Sequence, residues 1–230
     1  MPAPRSHAYH DFQSSRAVHY CYAVVRYLAL LAALCTLTSC SSSSAAPATA
    51  SIHANCAPAG ARTIAVGRRA EVYSRGRSVY GCATGGGHYR LGGSGLCVNS
   101  HVVEAVAITG RVAAYALSSC GVDMSTTEVI VRRLTNGKLL SSDPAVTRIT
   151  GPESAQAVSS VVVSSTGRAA WIGTSHSILR HRQVSQVLAH TATGVRVLDS
   201  GSRISRNSLR LNGTRLTWQH GSRTRSATLR

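Results

Sequence analysis

The sequence predicts an all-β fold assembled from a repeated β-hairpin, and three stretches carry that expectation. The clearest is 158–172: an apolar strand through Val161, Val162 and Val163, a turn at Thr166-Gly167, and a second strand ending in Trp171. The same order recurs at 103–115, where an apolar run passes through Gly110 to Tyr115. It recurs again at 208–218, where Leu209-Arg210-Leu211 leads through Gly213 to Trp218. A hairpin repeated with a terminal aromatic marks a chain built of units that hide their apolar faces on one another. A composition rich in Ser, Thr, Val and Gly and poor in aromatics also favours strands and turns over helices.

Taken in order, the chain opens with an export signal. Arg5, Arg16 and Arg26 precede an apolar run over 28–37, interrupted only by Thr36. Ten residues span about 15 Å as a helix, half of a bilayer's apolar core of about 30 Å, so the run suits a signal segment and not an anchor. Leu37-Thr38-Ser39-Cys40 follows directly and resembles the lipobox of bacterial lipoproteins, a family in which the cysteine begins the mature chain and carries the lipid. The resemblance implies a signal over 1–40, lipid attachment at Cys40 and a place on the outer face of the cell membrane. The competing expectation is cleavage after Ala48-Thr49-Ala50, giving a freely secreted protein. Residues 41–55 are mostly Ser, Ala, Pro and Thr without periodicity, a tether reaching on the order of 20 Å. The folded part is expected over 56–230.

Four cysteines fall in that part: Cys56, Cys82, Cys97 and Cys120. An even count in an exported domain predicts two disulfides, with three possible connectivities. Cys56–Cys82 and Cys97–Cys120 are preferred, because each pair is close in sequence and brackets one early repeat. A zinc site would need tight Cys-x-x-Cys-like spacing, which is absent, so no metal is expected.

The remaining chain divides into four related segments. The first runs through strands at 63–66, 70–73, 79–82 and 88–91, with a Gly-rich turn at Gly85-Gly86-Gly87. The second adds strands at 128–131 and 138–140 about an Asn136-Gly137 turn, a strong hairpin signal. The third closes with strands at 184–189 and 195–198, and the fourth ends in 226–229. Tyr115 and Trp171 stand 56 residues apart and Trp171 and Trp218 stand 47 apart, spacings that bracket a blade-sized unit of ~40–50 residues with insertions. Continuous apolar runs at 129–131 and 161–163 fit strands buried on both faces, whereas Leu209-Arg210-Leu211 alternates as an edge strand does. The expected architecture is a small β-propeller-like domain of about four blade-like repeats, with a β-sandwich as the alternative. Trp218, nearest the terminal edge, is expected to matter less to stability than Trp171.

The segment Ser165-Thr166-Gly167-Arg168-Ala169-Ala170-Trp171 is similar to the repeat of TolB-type propellers, and the chain resembles exported proteins of high-GC actinobacteria that carry such repeats. Over about residues 60–230 that resemblance implies a binding scaffold more than a catalyst.

Motifs for chemistry are few. Gly173-Thr174-Ser175-His176-Ser177 lacks the closing glycine of a nucleophile elbow. Asp199-Ser200-Gly201 occurs once, where an aspartic protease needs two such carboxylates, and reads as a turn at a strand end. His176, His181 and His190 fall close together, but Arg180 and Arg182 beside them repel a cation. No cofactor is expected.

Charge is the functional lead. The chain has 25 Lys plus Arg and 8 Asp plus Glu, for a formal charge of +17. From Arg203 to the C-terminus seven arginines occur without an acid. Arg203, Arg206, Arg210 and Arg215 are the expected contacts for a polyanion such as a wall polymer or anionic headgroups. No base-stacking platform accompanies them, so sequence-specific nucleic-acid binding is not expected. The sequence therefore points to an exported, lipid-anchored binding or scaffold module with an envelope polyanion or protein partner; the alternative is a secreted hydrolase whose catalytic residues the sequence does not reveal.

Overall fold

The computed structural model describes residues 55–97, 100–121, 124–149, 153–177, 179 and 181–230; the signal segment, Cys40 and most of the tether lie outside them. The described chain is all-β, with fifteen strands. Sheet I holds β1 (Arg62–Val66), β2 (Ala70–Arg75), β3 (Ser78–Ala83) and β4 (His88–Gly93). Sheet II holds β5 (His101–Thr109), β6 (Val112–Cys120), β7 (Ser125–Arg133) and β8 (Leu139–Pro144). Sheet III holds β9 (Ser154–Val163), β10 (Ala169–Ser177), β11 (Arg182–Thr191) and β12 (Gly194–Gly201). Sheet IV has three strands, β13 (Arg210–Asn212), β14 (Arg215–His220) and β15 (Arg223–Thr228).

Within each sheet every strand pairs antiparallel with the next in sequence. Sheets I, II and III form one twelve-stranded network by backbone pairing, but the links between them are single parallel bridges, Gly93 with Val102 and Ser125 with Ala155. The repeat expected from sequence therefore exists as four successive meanders. No backbone pairing joins the first and last sheets into a ring among the described residues.

The meanders stack face to face because side chains along a strand alternate between faces. Tyr115, Ala113 and Ile130 of sheet II pack with Val72, Val79 and Leu91 of sheet I. Val112, Ala114, Val129 and Val131 on the other face of sheet II pack with Val161, Trp171 and Leu188 of sheet III. Ile172 and Val187 of sheet III meet Leu209, Leu216 and Trp218 of sheet IV. Strands β7 and β9 feed both of their faces, which is why 129–131 and 161–163 read as unbroken apolar runs. First strands of successive sheets also lie together, β1 by β5, β5 by β9, and β13 by β9.

The three aromatics occupy equivalent places. Each projects from the second strand of its sheet into the interface with the preceding one, and their relative exposures are 1% for Tyr115, 0% for Trp171 and 3% for Trp218. Sheet I contains a fourth member that the sequence comparison missed, Tyr73, three residues into β2 as Tyr115 is three into β6. With no sheet before it among the described residues, Tyr73 stacks on Tyr80 and its hydroxyl lies 2.8 Å from His88 Nδ1.

Two disulfides fasten the early part. Cys56–Cys82 ties the segment before β1 to β3, and Cys97–Cys120 ties the loop after β4 to the end of β6. Disulfides of this kind persist in oxidising, extracytoplasmic compartments. No helix among the described residues is long and apolar enough to cross a membrane.

Buried aromatic stacking makes a direct prediction. Truncating Trp171 to alanine is expected to cost about 3–5 kcal/mol, read from urea unfolding. Trp218→Ala is expected to cost as much, against the expectation for an edge residue, because its indole also serves a buried carboxylate. A loss under about 1 kcal/mol for either would contradict the stacking account. The thiols give a second check. Non-reducing peptide mapping is expected to recover Cys56 with Cys82 and Cys97 with Cys120, and reduction is expected to cost about 3 kcal/mol per bridge.

Candidate binding surface

Sidedness of charge defines the surface. Every described Arg and the single Lys is exposed except Arg132, which is half-buried. The described acids divide, with Glu104, Glu128 and Glu153 exposed. Glu71, Asp143 and Asp199 are buried. Thr63 Oγ1 donates to Glu71 Oε1, Ser142 Oγ donates to Glu128 Oε2, and the Val158 amide donates to Glu104 Oε2. Among the described residues, only Arg225 of the Lys and Arg side chains forms an ion pair with an acid. Inward-turned carboxylates leave the exterior more cationic than the composition alone indicates.

The arginines singled out from sequence fall in two places. Arg210 pairs across strands with Thr217, and Arg215 with Asn212 and Thr228, so Arg210 and Arg215 share the outward face of sheet IV. That face carries Asn212, Thr217, Gln219, Thr224, Ser226 and Thr228 beside them and no apolar side chain. Arg203 and Arg206 instead lie in the connection from β12 to β13. The Arg206 carbonyl accepts from Ser159 Oγ, and its guanidinium donates to Gln183 Oε1. Arg210 donates to the Asn207 and Leu209 carbonyls, which holds the start of β13. A separate cleft of about 1000 Å³ lies where β4 meets β5, with Arg77, Arg90 and His101 among its lining residues.

The histidine trio does not converge. His176 is within β10, His181 is in the following turn with φ of 48°, and His190 on β11 faces sheet II. His190 Nδ1 lies 2.9 Å from Asp143 Oδ2, close as an ion pair but off the line of a hydrogen bond. Cys56, Glu71 and Cys82 cluster near one another, yet the two sulfurs are bonded to each other and offer no thiolates to a metal.

Asp199-Ser200-Gly201 is not a plain turn. It forms the end of β12, and Asp199 is the polar centre between sheets III and IV. Its Oδ2 accepts from Trp218 Nε1 at 2.7 Å and lies 2.9 Å from His220 Nδ1. Its Oδ1 accepts from Arg225 Nη1 at 3.0 Å and from the Ser200 amide at 2.9 Å. Burial alone would push this carboxyl up, but the bonds from Trp218, His220 and the Ser200 amide outweigh it and hold it below its ordinary value. Sequence reasoning missed the cluster because its members come from three strands. A signal was present in the alternation of Trp218 with His220 and of Arg223 with Arg225, each pair on one face.

Comparison with family models, curated proteins and solved structures found no match.

The Asp199 cluster predicts acid sensitivity. A carboxyl held low in the folded state contributes stability that is present above its unfolded value, about 3.9, and lost as pH falls toward the folded one. Unfolding followed against pH is expected to show stability dropping below about pH 4. Asp199→Asn is expected to be less stable at neutral pH and flatter in acid. Parallel acid profiles for the two proteins would contradict this.

Proposed function

We propose that this protein is a binding or scaffold module at the cell envelope that holds polyanions on its arginine-covered exterior. The observation that carries this reading is the charge division: the cations are exposed and largely unpaired with acids, while three of the six described carboxylates, Glu71, Asp143 and Asp199, are buried. Unpaired surface arginines gain most from a polymer whose neutralisation releases counterions, because no internal partner must first be given up.

The stack is propeller-like in this reading. The first strands of successive sheets lying together, β1 by β5, β5 by β9 and β13 by β9, support it. In this reading the cysteine of the lipobox-like Leu37-Thr38-Ser39-Cys40 carries the lipid that anchors the module to the outer face of the membrane. The two disulfides are compatible with that compartment.

Binding of a labelled polyphosphate, followed by fluorescence anisotropy across a salt series, tests the function. Affinity is expected to fall steeply with salt, and replacing Arg203, Arg206, Arg210 and Arg215 with Gln is expected to flatten that dependence by up to about four charges' worth. No binding at low salt would overturn the proposal. The anchor has its own test: Cys40→Ala is expected to shift the protein from the membrane fraction to the medium or to leave an unprocessed precursor. A mature-sized mutant that stays in membranes would refute lipidation.

A further inference from the structure

We infer that the junction of sheets III and IV contains a discrete oxyanion site, formed by His220, Arg203 and Arg223 around Gly201 and Gly221, which takes a phosphate or sulfate group. This rests on the polyanion reading above and names where one group of the polymer is gripped.

The site follows from how the chain returns after β12. Beyond Gly201 it crosses Ser202 and Arg203, and Ile204 then forms a backbone bridge to His220. The Gly221 amide donates to the Arg203 carbonyl at 2.8 Å, and the Ser205 amide to the Gln219 carbonyl at 3.0 Å. These bonds pin Arg203 to the tip of the β14–β15 hairpin. Its guanidinium consequently lies over Gly221, with Nη1 3.9 Å from where a Cβ there would be. Arg223 is the cross-strand partner of His220, on the same face of sheet IV.

His220 is oriented by the buried carboxylate. An ionised carboxylate only accepts, so the hydrogen on Nδ1 points at Asp199 and Nε2 is left for another partner. Gly201 lies against that edge of the ring, and a Cβ there would crowd it, standing 3.1 Å from Nε2 and 3.0 Å from Cε1. Neutral Nε2 accepts the hydroxyl of a hydrogen phosphate, and protonated Nε2 donates to a phosphoryl or sulfuryl oxygen. Arg203, over Gly221, and Arg223, the cross-strand partner of His220, supply charge-assisted donors. Asp199 contributes one negative charge behind the imidazole, and Arg225, already bonded to it, offsets that charge. The pocket is left net cationic by Arg203 and Arg223. Unlike the arginines on the outward face of sheet IV, these two are placed beside an imidazole of set orientation, which is what separates a site from a charged surface.

Inorganic phosphate and inorganic sulfate are the probes, titrated into the full domain while the His220 ring resonances are followed by NMR. Saturable movement of those resonances is expected. The double variant Arg203→Gln/Arg223→Gln is expected to lower the affinity about tenfold or more, each charge-assisted contact being worth about that factor. Arg68→Gln/Arg69→Gln removes the same charge from the β1–β2 turn and is expected to change it by less than about twofold. Thermal unfolding of both variants checks that each remains folded. Equal losses in the two variants, or no saturable His220 response in wild type, would overturn the site. If polyphosphate still binds in either of those cases, the general polyanion reading stands without it. If polyphosphate also fails to bind, that reading falls as well. Vesicles of phosphatidylglycerol run beside polyphosphate separate a lipid headgroup from a polymer as the source of the anion.

Discussion

Everything in this molecule depends on small sheets with apolar faces, both faces in sheets II and III. A three- or four-stranded meander cannot keep both faces from water alone, so each must lie against a neighbour. The second-strand aromatics set the contact: Tyr115, Trp171 and Trp218 each fill the space against the preceding sheet. A stack of this kind must end somewhere, and the ends are treated differently. Sheet IV terminates in a face of Arg, Thr, Asn, Gln and Ser that has nothing apolar to offer a further sheet. Sheet I terminates in stacked Tyr73 and Tyr80, with the chain before β1 fastened there by Cys56–Cys82.

The two later interfaces solve one polar problem in two ways. Asp143 pairs with Val129 across β7 and β8 as Asp199 pairs with Val187 across β11 and β12, so the two acids are equivalent. Between sheets II and III, Trp171 Nε1 donates to the Ala145 carbonyl at 2.9 Å. That carbonyl comes so close to sheet III that a Cβ at residue 173 would collide with it, and Gly173 is the residue there. Between sheets III and IV the indole of Trp218 reaches the carboxylate itself, and His220 takes the place two residues on where Gly173 stands. One substitution in the repeat, glycine for histidine, thus separates a close backbone approach from a polar cluster that reaches the surface.

The proposed function rests on the same geometry. The stack draws Asp143 and Asp199 into its seams, while the described arginines other than Arg132 stay exposed. Cations on turns are spread along the stack and suit an extended anionic polymer better than a compact ligand. At the sheet III–IV junction the chain's return brings Arg203 over Gly221, the residue after His220.

The repeat, its strands and the hairpin turns at Gly110, Gly167 and Gly213 were legible in the sequence, because alternation, runs of valine and turn glycines are local properties. The cysteine pairing was legible for the same reason, each bridge closing a short loop. Cationic character was legible as a sum, since charge needs no coordinates. Which arginines stand together was not, because Arg203 is brought to His220 by a chain return that no spacing reveals. Asp199 read as a turn residue for a similar reason: its partners Trp218, His220 and Arg225 are 19 to 26 residues away and meet it only when sheet IV packs on sheet III. Local sequence determines which faces are apolar, and only the stacking of those faces decides which polar groups are trapped between them.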